Sequence, residues 1–200
     1  MNLSVDELTE MIKKRLFIEL EASGRHVHLT KQAALRLFGH ALTEKRPLSQ
    51  PGQFVCNERV TLVTEKGRLE HVAVLGPERK ECQVELSLTD CVTLGIRAPI
   101  RLSGHTENTP GLTLQNGEAS LRLDSGVIVA QRHIHMTPED AALHDLSDGE
   151  SVNLKTLTGR PLTFDQVIVR VSPSFCTFAH LDYDEANACG FQKGDLGIIV

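Results

Sequence analysis

"RHVHLTKQAALRLFG" (residues 25–39) and "RHIHMTPEDAALHDL" (residues 132–146) repeat one order of side chains: arginine, histidine, an apolar residue, histidine, an apolar residue, threonine, then a helix-forming run. The first histidines, His26 and His133, stand 107 positions apart (133 minus 26) in a chain of 200 residues. A repeat that long points to an internal duplication of a whole structural unit. On a strand, positions i and i+2 share a face, so each His-x-His sends both imidazoles to one side. Val27 and Ile134 then point the other way, toward a core. Thr30 and Thr137 suit helix N-caps, and Pro138 suits the first helical turn.

The duplication extends outward from these stretches. "RVTLVTEKGRLEHVAVLGP" (59–77) and "SVNLKTLTGRPLTFDQVIVRVSP" (151–173) both alternate apolar and polar residues around a Lys-Gly or Thr-Gly turn, the pattern of a hairpin. "CQVELSLTD" (82–90) and "CTFAHLDYD" (176–184) follow at nearly the same relative distance. Each half therefore runs His pair, short helix, hairpin, Pro-marked turn, further strand. The expected fold is mainly β with short helices: two tandem related β-barrel domains with pseudo-two-fold symmetry. Residues 24–131 form the first domain and residues 132–200 the second, after a turn-rich stretch at 103–111 and a strand-rich connector at 112–131. Residues 1–20 precede them as an N-terminal amphipathic helix, its helical pattern running over 4–17. In it Ser4 and Glu7 make a capping box, and Val5, Leu8, Met11, Ile12 and Leu16 form one apolar stripe.

Composition narrows the function. With no Trp and one Tyr, the core must be aliphatic. A net charge of −5 argues against a general nucleic-acid binder, which needs a basic face. No apolar run approaches the ~20 residues that cross a bilayer, so no membrane span is expected, and the first residues lack the pattern of a secretory signal. The five cysteines are scattered without C-x-x-C and read as reduced, buried thiols of an intracellular protein.

Two imidazoles on one strand face suit chelation of a metal ion, but two rarely complete a site. The repeat supplies a third ligand for each pair: Glu85 in "QVELS" and His180 in "FAHLD". The candidate metal sites are thus His26/His28/Glu85 and His133/His135/His180. These donors favour zinc, with iron, cobalt and manganese compatible. Two related domains with one site each are expected to bring two ions together where they meet. Arg79, at a turn six residues before Glu85, is the candidate phosphate-binding and catalytic arginine. His40, His71, His105 and His144 have no matched partner and read as surface or turn residues.

"RHVHL", "PLSQPGQF", "VLGPERKECQVELSLTD", "GVIVAQRHIHMTPEDA" and "VRVSP…HLDYDEANA" together resemble the PduL-type phosphate acyltransferases, the phosphate propanoyltransferases, in order from about residue 24 to 188. Two positions depart from the usual motifs: Gly24 stands where Asn or Ser is usual, and the last histidine sits in Ala-His-Leu-Asp rather than Met-His-Ile-Asp. The resemblance implies the reaction acyl-CoA plus phosphate to acyl phosphate plus CoA, with acetyl or propanoyl as the acyl group. It implies two zinc ions at the junction of two β-barrels, ligated by His26, His28, Glu85, His133, His135 and His180, with Arg79 on the phosphate. It also implies that a strand from 16–22 joins the second barrel. Members from bacterial microcompartments, including those of propanediol degradation, carry an N-terminal amphipathic helix that directs them into a protein shell. Residues 4–17 fit that role, which places the chain in a microcompartment lumen; a helix packed on its own barrel, a homodimer contact and a cytoplasmic location stay open. Two further functions use the same residues. One is a dinuclear zinc hydrolase of a phosphoester or thioester. The other is a zinc-stabilised scaffold protein without turnover.

Overall fold

Ser4 starts the first element, as its sequence requires. Its hydroxyl accepts from Glu7 N, and the Glu7 carboxylate accepts from Ser4 N at 2.8 Å, which satisfies donors that a helix start leaves open. The computed structural model describes residues 4–200. Helix α1 (Val5–Leu16) buries none of its residues. The N-terminal segment expected over 1–20 is not helical to its end. Strand β1 (Ile18–Ser23) begins directly after the cap residue Phe17, because Ile18 and Leu20 alternate with an exposed Glu19 and sink into a core. Residues 1–3 of that segment lie outside the described residues.

The chain then builds β2 (His26–His28), α2 (Lys31–Phe38), β3 (Glu44–Pro47), β4 (Phe54–Val63), β5 (Arg68–Gly76), β6 (Gln83–Leu86), α3 (Leu88–Leu94), β7 (Ile100–Arg101), β8 (Leu112–Asn116), β9 (Ala119–Leu123) and β10 (Val127–Ala130). These elements form one compact unit, Gly24–Gln131. Its nine strands make one curled, barrel-like sheet ordered β7-β10-β6-β2-β5-β4-β8-β9, with β3 on the flank of β4. Val27, Leu62, Val74, Val84, Leu112 and Leu114 fill its core, each essentially without solvent exposure.

The remaining elements are β11 (His133–Met136), α4 (Pro138–Leu143), β12 (Ser151–Thr156), β13 (Thr163–Val171), β14 (Phe178–Asp182), α5 (Tyr183–Cys189) and β15 (Leu196–Ile199). With the residues up to Ser23 they form the other unit. Six strands close there into a barrel, β1-β14-β11-β13-β12-β15. β1 runs parallel to β14 and antiparallel to β15, so the segment before the first His pair belongs to the sheet of the second. Ile18, Ile134, Met136 and Leu154 lie in the core of this unit. In both units the largest fully buried side chains are Ile, Leu and Met, the aliphatic core that the scarcity of aromatics demands.

Each His-bearing strand has the same neighbours. β2 lies between β5, parallel, and β6, antiparallel. β11 lies between β13, parallel, and β14, antiparallel. The helices after the third-ligand strands match as well. Both start with a capping box, Ser87 with Asp90 and Asp182 with Glu185, and both end on a left-handed glycine, Gly95 (φ 62°) and Gly190 (φ 66°). A threonine from each hairpin turn closes the helix end: Thr64 Oγ1 donates to Leu94 O at 2.6 Å and Thr158 Oγ1 to Cys189 O at 2.5 Å. All five cysteines are free thiols. Among the described residues no helix is long and apolar enough to cross a membrane.

Candidate metal centres

Register delivers the first triad. His26 stands directly opposite Glu85, and His28 opposite Gln83, across the β2–β6 ladder. Val27 faces Val84 between them, and both are fully buried in the core. The period of two in a strand therefore puts His26, His28, Gln83 and Glu85 on the face opposite that core. All four are buried. His26 Nδ1 lies 2.8 Å from the Gly24 carbonyl. A carbonyl can only accept, so Nδ1 carries the proton and Nε2 presents its lone pair. That Nε2 lies 3.5 Å from Glu85 Oε1, and His28 Nε2 lies 3.8 Å from the same oxygen.

These separations test the fit to an ion. Bonds of about 2.0–2.1 Å in a tetrahedron put ligand atoms about 3.3–3.4 Å apart. The observed spacings are slightly longer, and all three ligand atoms lie within 4.8 Å of one another. The donor set of two imidazoles and one carboxylate fits a divalent ion without rearranging the backbone. The side chains set the charge of this pocket against one another. Burial would push the Glu85 carboxyl up, but His26 and His28 outweigh it and hold it well below the usual carboxylate range. Burial would lower His26, yet the Glu85 charge, the bond to it and the Gly24 carbonyl raise it overall. Burial and the neighbouring His26 push His28 well below the ordinary imidazole value. The pocket thus favours the charged form of Glu85 and the neutral form of His28.

Arg79 joins this triad through two side chains that the sequence did not single out. Gln83 Nε2 donates to Glu85 Oε1 at 2.6 Å and to Ser103 Oγ at 2.9 Å. The Arg79 guanidinium donates to the same Ser103 Oγ at 3.0 Å. Gly104 N donates to Gln83 Oε1 at 2.8 Å, which fixes the amide so that its NH2 faces the carboxylate. Arg79 also lines a cavity of about 240 Å³ with Pro51, Gly52, Gln53, Gly76 and Pro77. The "PLSQPGQF" stretch therefore forms one wall of the space that Arg79 faces.

The second triad is built alike. His133 stands opposite His180 across the β11–β14 ladder. The His133 and His180 rings stack at 4.9 Å, and His135 meets them edge-on at 4.6 and 4.7 Å. Phe175 stacks on His135 at 4.0 Å and gives the cluster an apolar wall. The ligand atoms of the three imidazoles also lie within 4.8 Å of one another. His40, His71 and His105 are exposed, and His144 caps α4 and meets Lys14 O at 2.8 Å; none enters either cluster.

The arginine that opens each repeat has a matched role. Arg25 pairs with the buried Asp90 at 2.9 Å, and Arg132 pairs with Glu185 at 2.8 Å. Each acid is the third residue of its helix and completes that helix's capping box. Each also lies five residues beyond the third ligand of its triad. The arginine thus ties the strand carrying the His pair to the helix that follows the third ligand. An alignment of the two halves carried past Glu85 and His180 would have shown the pairing in advance.

Fold and site together define a β protein of two related units, each presenting a group of three side chains that could hold a metal ion, with the Arg79 guanidinium hydrogen-bonded through Ser103 and Gln83 to one of them. A model of the phosphate propanoyltransferase family matches residues 19–192. Over 98% of its length the chain is 54% identical to a phosphate propanoyltransferase of Enterococcus faecalis, covering 97% of that protein. It is 51% identical to the one of Clostridioides difficile, over 100% of this chain and 97% of the relative. With that of Salmonella typhimurium it shares 51% identity over 86% and 83% of the two chains. The chain belongs to the phosphate propanoyltransferase family, a family of acyltransferases.

Proposed function

We propose that this chain converts a short acyl-CoA, propanoyl or acetyl, and inorganic phosphate into the acyl phosphate and CoA, using two divalent ions for which zinc is the best match. The observation that carries this reading is the continuous link Arg79–Ser103–Gln83–Glu85, which joins a phosphate-binding group to a metal ligand. His26, His28 and Glu85 would hold one ion, and His133, His135 and His180 the other. Bound there, such an ion supplies Lewis acidity toward the thioester carbonyl and a soft seat for a thiolate.

The chain's own groups do the rest. The Arg79 guanidinium grips phosphate oxygens, sheds their water and aims one at the carbonyl carbon. A carbon–oxygen bond forms, the carbon–sulfur bond breaks, and the electron pair leaves on sulfur. Gln83 holds Glu85 in place and Ser103 sets the angle of Arg79. No protein nucleophile is required. Cys82, the nearest thiol in sequence to Glu85, accepts from Thr30 N at 3.5 Å and serves the start of α2.

Helix α1 is the surface this reading assigns to a partner. Its apolar residues Val5, Leu8, Met11, Ile12 and Leu16 are 49 to 80% exposed. The occupant is a shell or core protein of a bacterial microcompartment, which places the enzyme in that lumen.

The decisive assay is CoA release with and without phosphate. Release that depends on phosphate and is matched by acyl phosphate supports the transferase. Release without phosphate would identify a hydrolase, and a chain that unfolds on chelation without ever turning over would be a scaffold. Glu85→Gln is expected to drop the metal content from two ions per chain to one and to reduce turnover at least about 100-fold. Full activity with one ion fewer refutes the two-ion reading.

A further inference from the structure

The third ligands of the two triads differ, Glu85 in one and His180 in the other, and the strands beyond them differ in a complementary way. β6 has a second neighbour, the parallel strand β10, and Ile128 stands level with Glu85. β14 has a second neighbour, the parallel strand β1, and Glu21 stands level with His180. Two equivalent rows thus cross three strands: His26–Glu85–Ile128 and His133–His180–Glu21. Each row holds one carboxylate. In the second it has moved one strand outward.

We infer that Glu21 is the positioning residue of the second triad, holding His180 by its outer nitrogen. This rests on the metal reading proposed above. Glu21 Oε2 lies 3.4 Å from His180 Nδ1. Leu20 and Ala22, level with Ala179 and Leu181, turn inward to apolar clusters, so Glu21 shares the opposite face with the imidazole. Drawn in from 3.4 Å to hydrogen-bond length, the carboxylate would accept from Nδ1–H and leave the Nε2 lone pair for an ion. The Gly24 carbonyl stands in that relation to His26 at 2.8 Å. Three neutral imidazoles leave the charge of a divalent ion uncompensated, and a carboxylate one bond outside restores part of the balance while raising ligand basicity.

The test is zinc titration against a competing chromophoric chelator. It uses the wild type, Glu21→Ala and Glu21→Gln, each also in a Glu85→Gln background that weakens the first site. Glu21→Ala is expected to weaken the second site about 10- to 100-fold and to leave the first unchanged. Glu21→Gln keeps an acceptor without the charge and falls between. Melting of the chelated proteins separates a positioning role from a structural one: the metal-free midpoints should coincide. Wild-type affinity at the second site in Glu21→Ala overturns the inference. So does an affinity loss that tracks a loss of metal-free stability and is equal for both variants. A wild type that fails to take up two ions sinks the metal reading itself.

Discussion

Replacing Arg25 by methionine keeps the aliphatic stem and removes the charge that faces Asp90. The Asp90 side chain is 3% exposed and that of Arg25 39%. Asp90 keeps one remaining hydrogen bond, from Ser87 N at 3.2 Å, and otherwise loses its compensation. Breaking a fully buried pair costs about 3–5 kcal/mol. Half-exposure of the arginine discounts that, because water screens the pair, and leaves about 2 kcal/mol, similar to one hydrogen bond to a charged group. The loss falls on α3, whose start Asp90 holds, and Cys91 on that helix is buried. Pulsed alkylation of Cys91 in chelated protein then reports local opening, provided reclosing outpaces labelling. At ~1.4 kcal/mol per decade, labelling should accelerate about 30-fold. Cys189 on α5 serves as the internal control. Arg132→Met should do the reverse. Its partner Glu185 is 17% exposed, so about 1 kcal/mol, or about 5-fold at Cys189, is expected. Acceleration below about 3-fold at Cys91, or the same factor at both thiols, would refute the idea that each arginine clamps its own helix.

Glu58 offers a pH test away from the triads. Burial pushes its carboxyl up, but the Thr43 hydroxyl and amide outweigh that and lower it overall. A depressed carboxylate stabilises the fold above its unfolded value near 4.5 and loses that contribution as pH falls toward its folded value. Glu58→Gln should therefore cost about 1 kcal/mol in urea unfolding at pH 7 and progressively less below pH 4.5; an equal cost at pH 3 contradicts this. Removing residues 4–16 deletes a helix with no buried side chain, its internal Lys13–Glu10 pair, and its links to the rest of the chain through the exposed Arg15–Asp145 pair at 3.4 Å and the His144 contact with Lys14 O at 2.8 Å. The cost should stay below about 1 kcal/mol with metal content unchanged, and a large drop in the urea midpoint would show that α1 supports the barrel.

What the sequence revealed follows from what a repeat can carry. Periodicity and turn chemistry are local, so the His pairs, caps and hairpins of both halves were readable. Glu85 and His180 could be named as partners because both copies place them at the same step after the hairpin. The strand that begins at Ile18 was legible only through the family resemblance, which implies one over 16–22; the residue pattern alone does not show it, because a short apolar alternation directly after an amphipathic helix carries no turn residue to mark the change. Gln83 and Ser103 escaped for a different reason. Their partners in the second half, Phe178 and the region beyond, are not alike in chemistry, so comparison of the copies gives them no weight.

Glu21 shows where such reading must fail. It stands before the first repeat in sequence, yet its strand closes the barrel of the second. Any comparison of residues 24–131 with 132–200 excludes it by construction. Only the pairing of β1 with β14 makes Glu21 the structural counterpart of Ile128, at the far end of the first repeat. That exchange allows the two triads to differ. The triad that contains Glu85 already has a negative charge beside its imidazoles, and an apolar Ile128 can back it. The triad that contains His180 has none of its own. From the neighbouring strand Glu21 comes within 3.4 Å of His180 Nδ1 without taking a position in the His133/His135/His180 cluster.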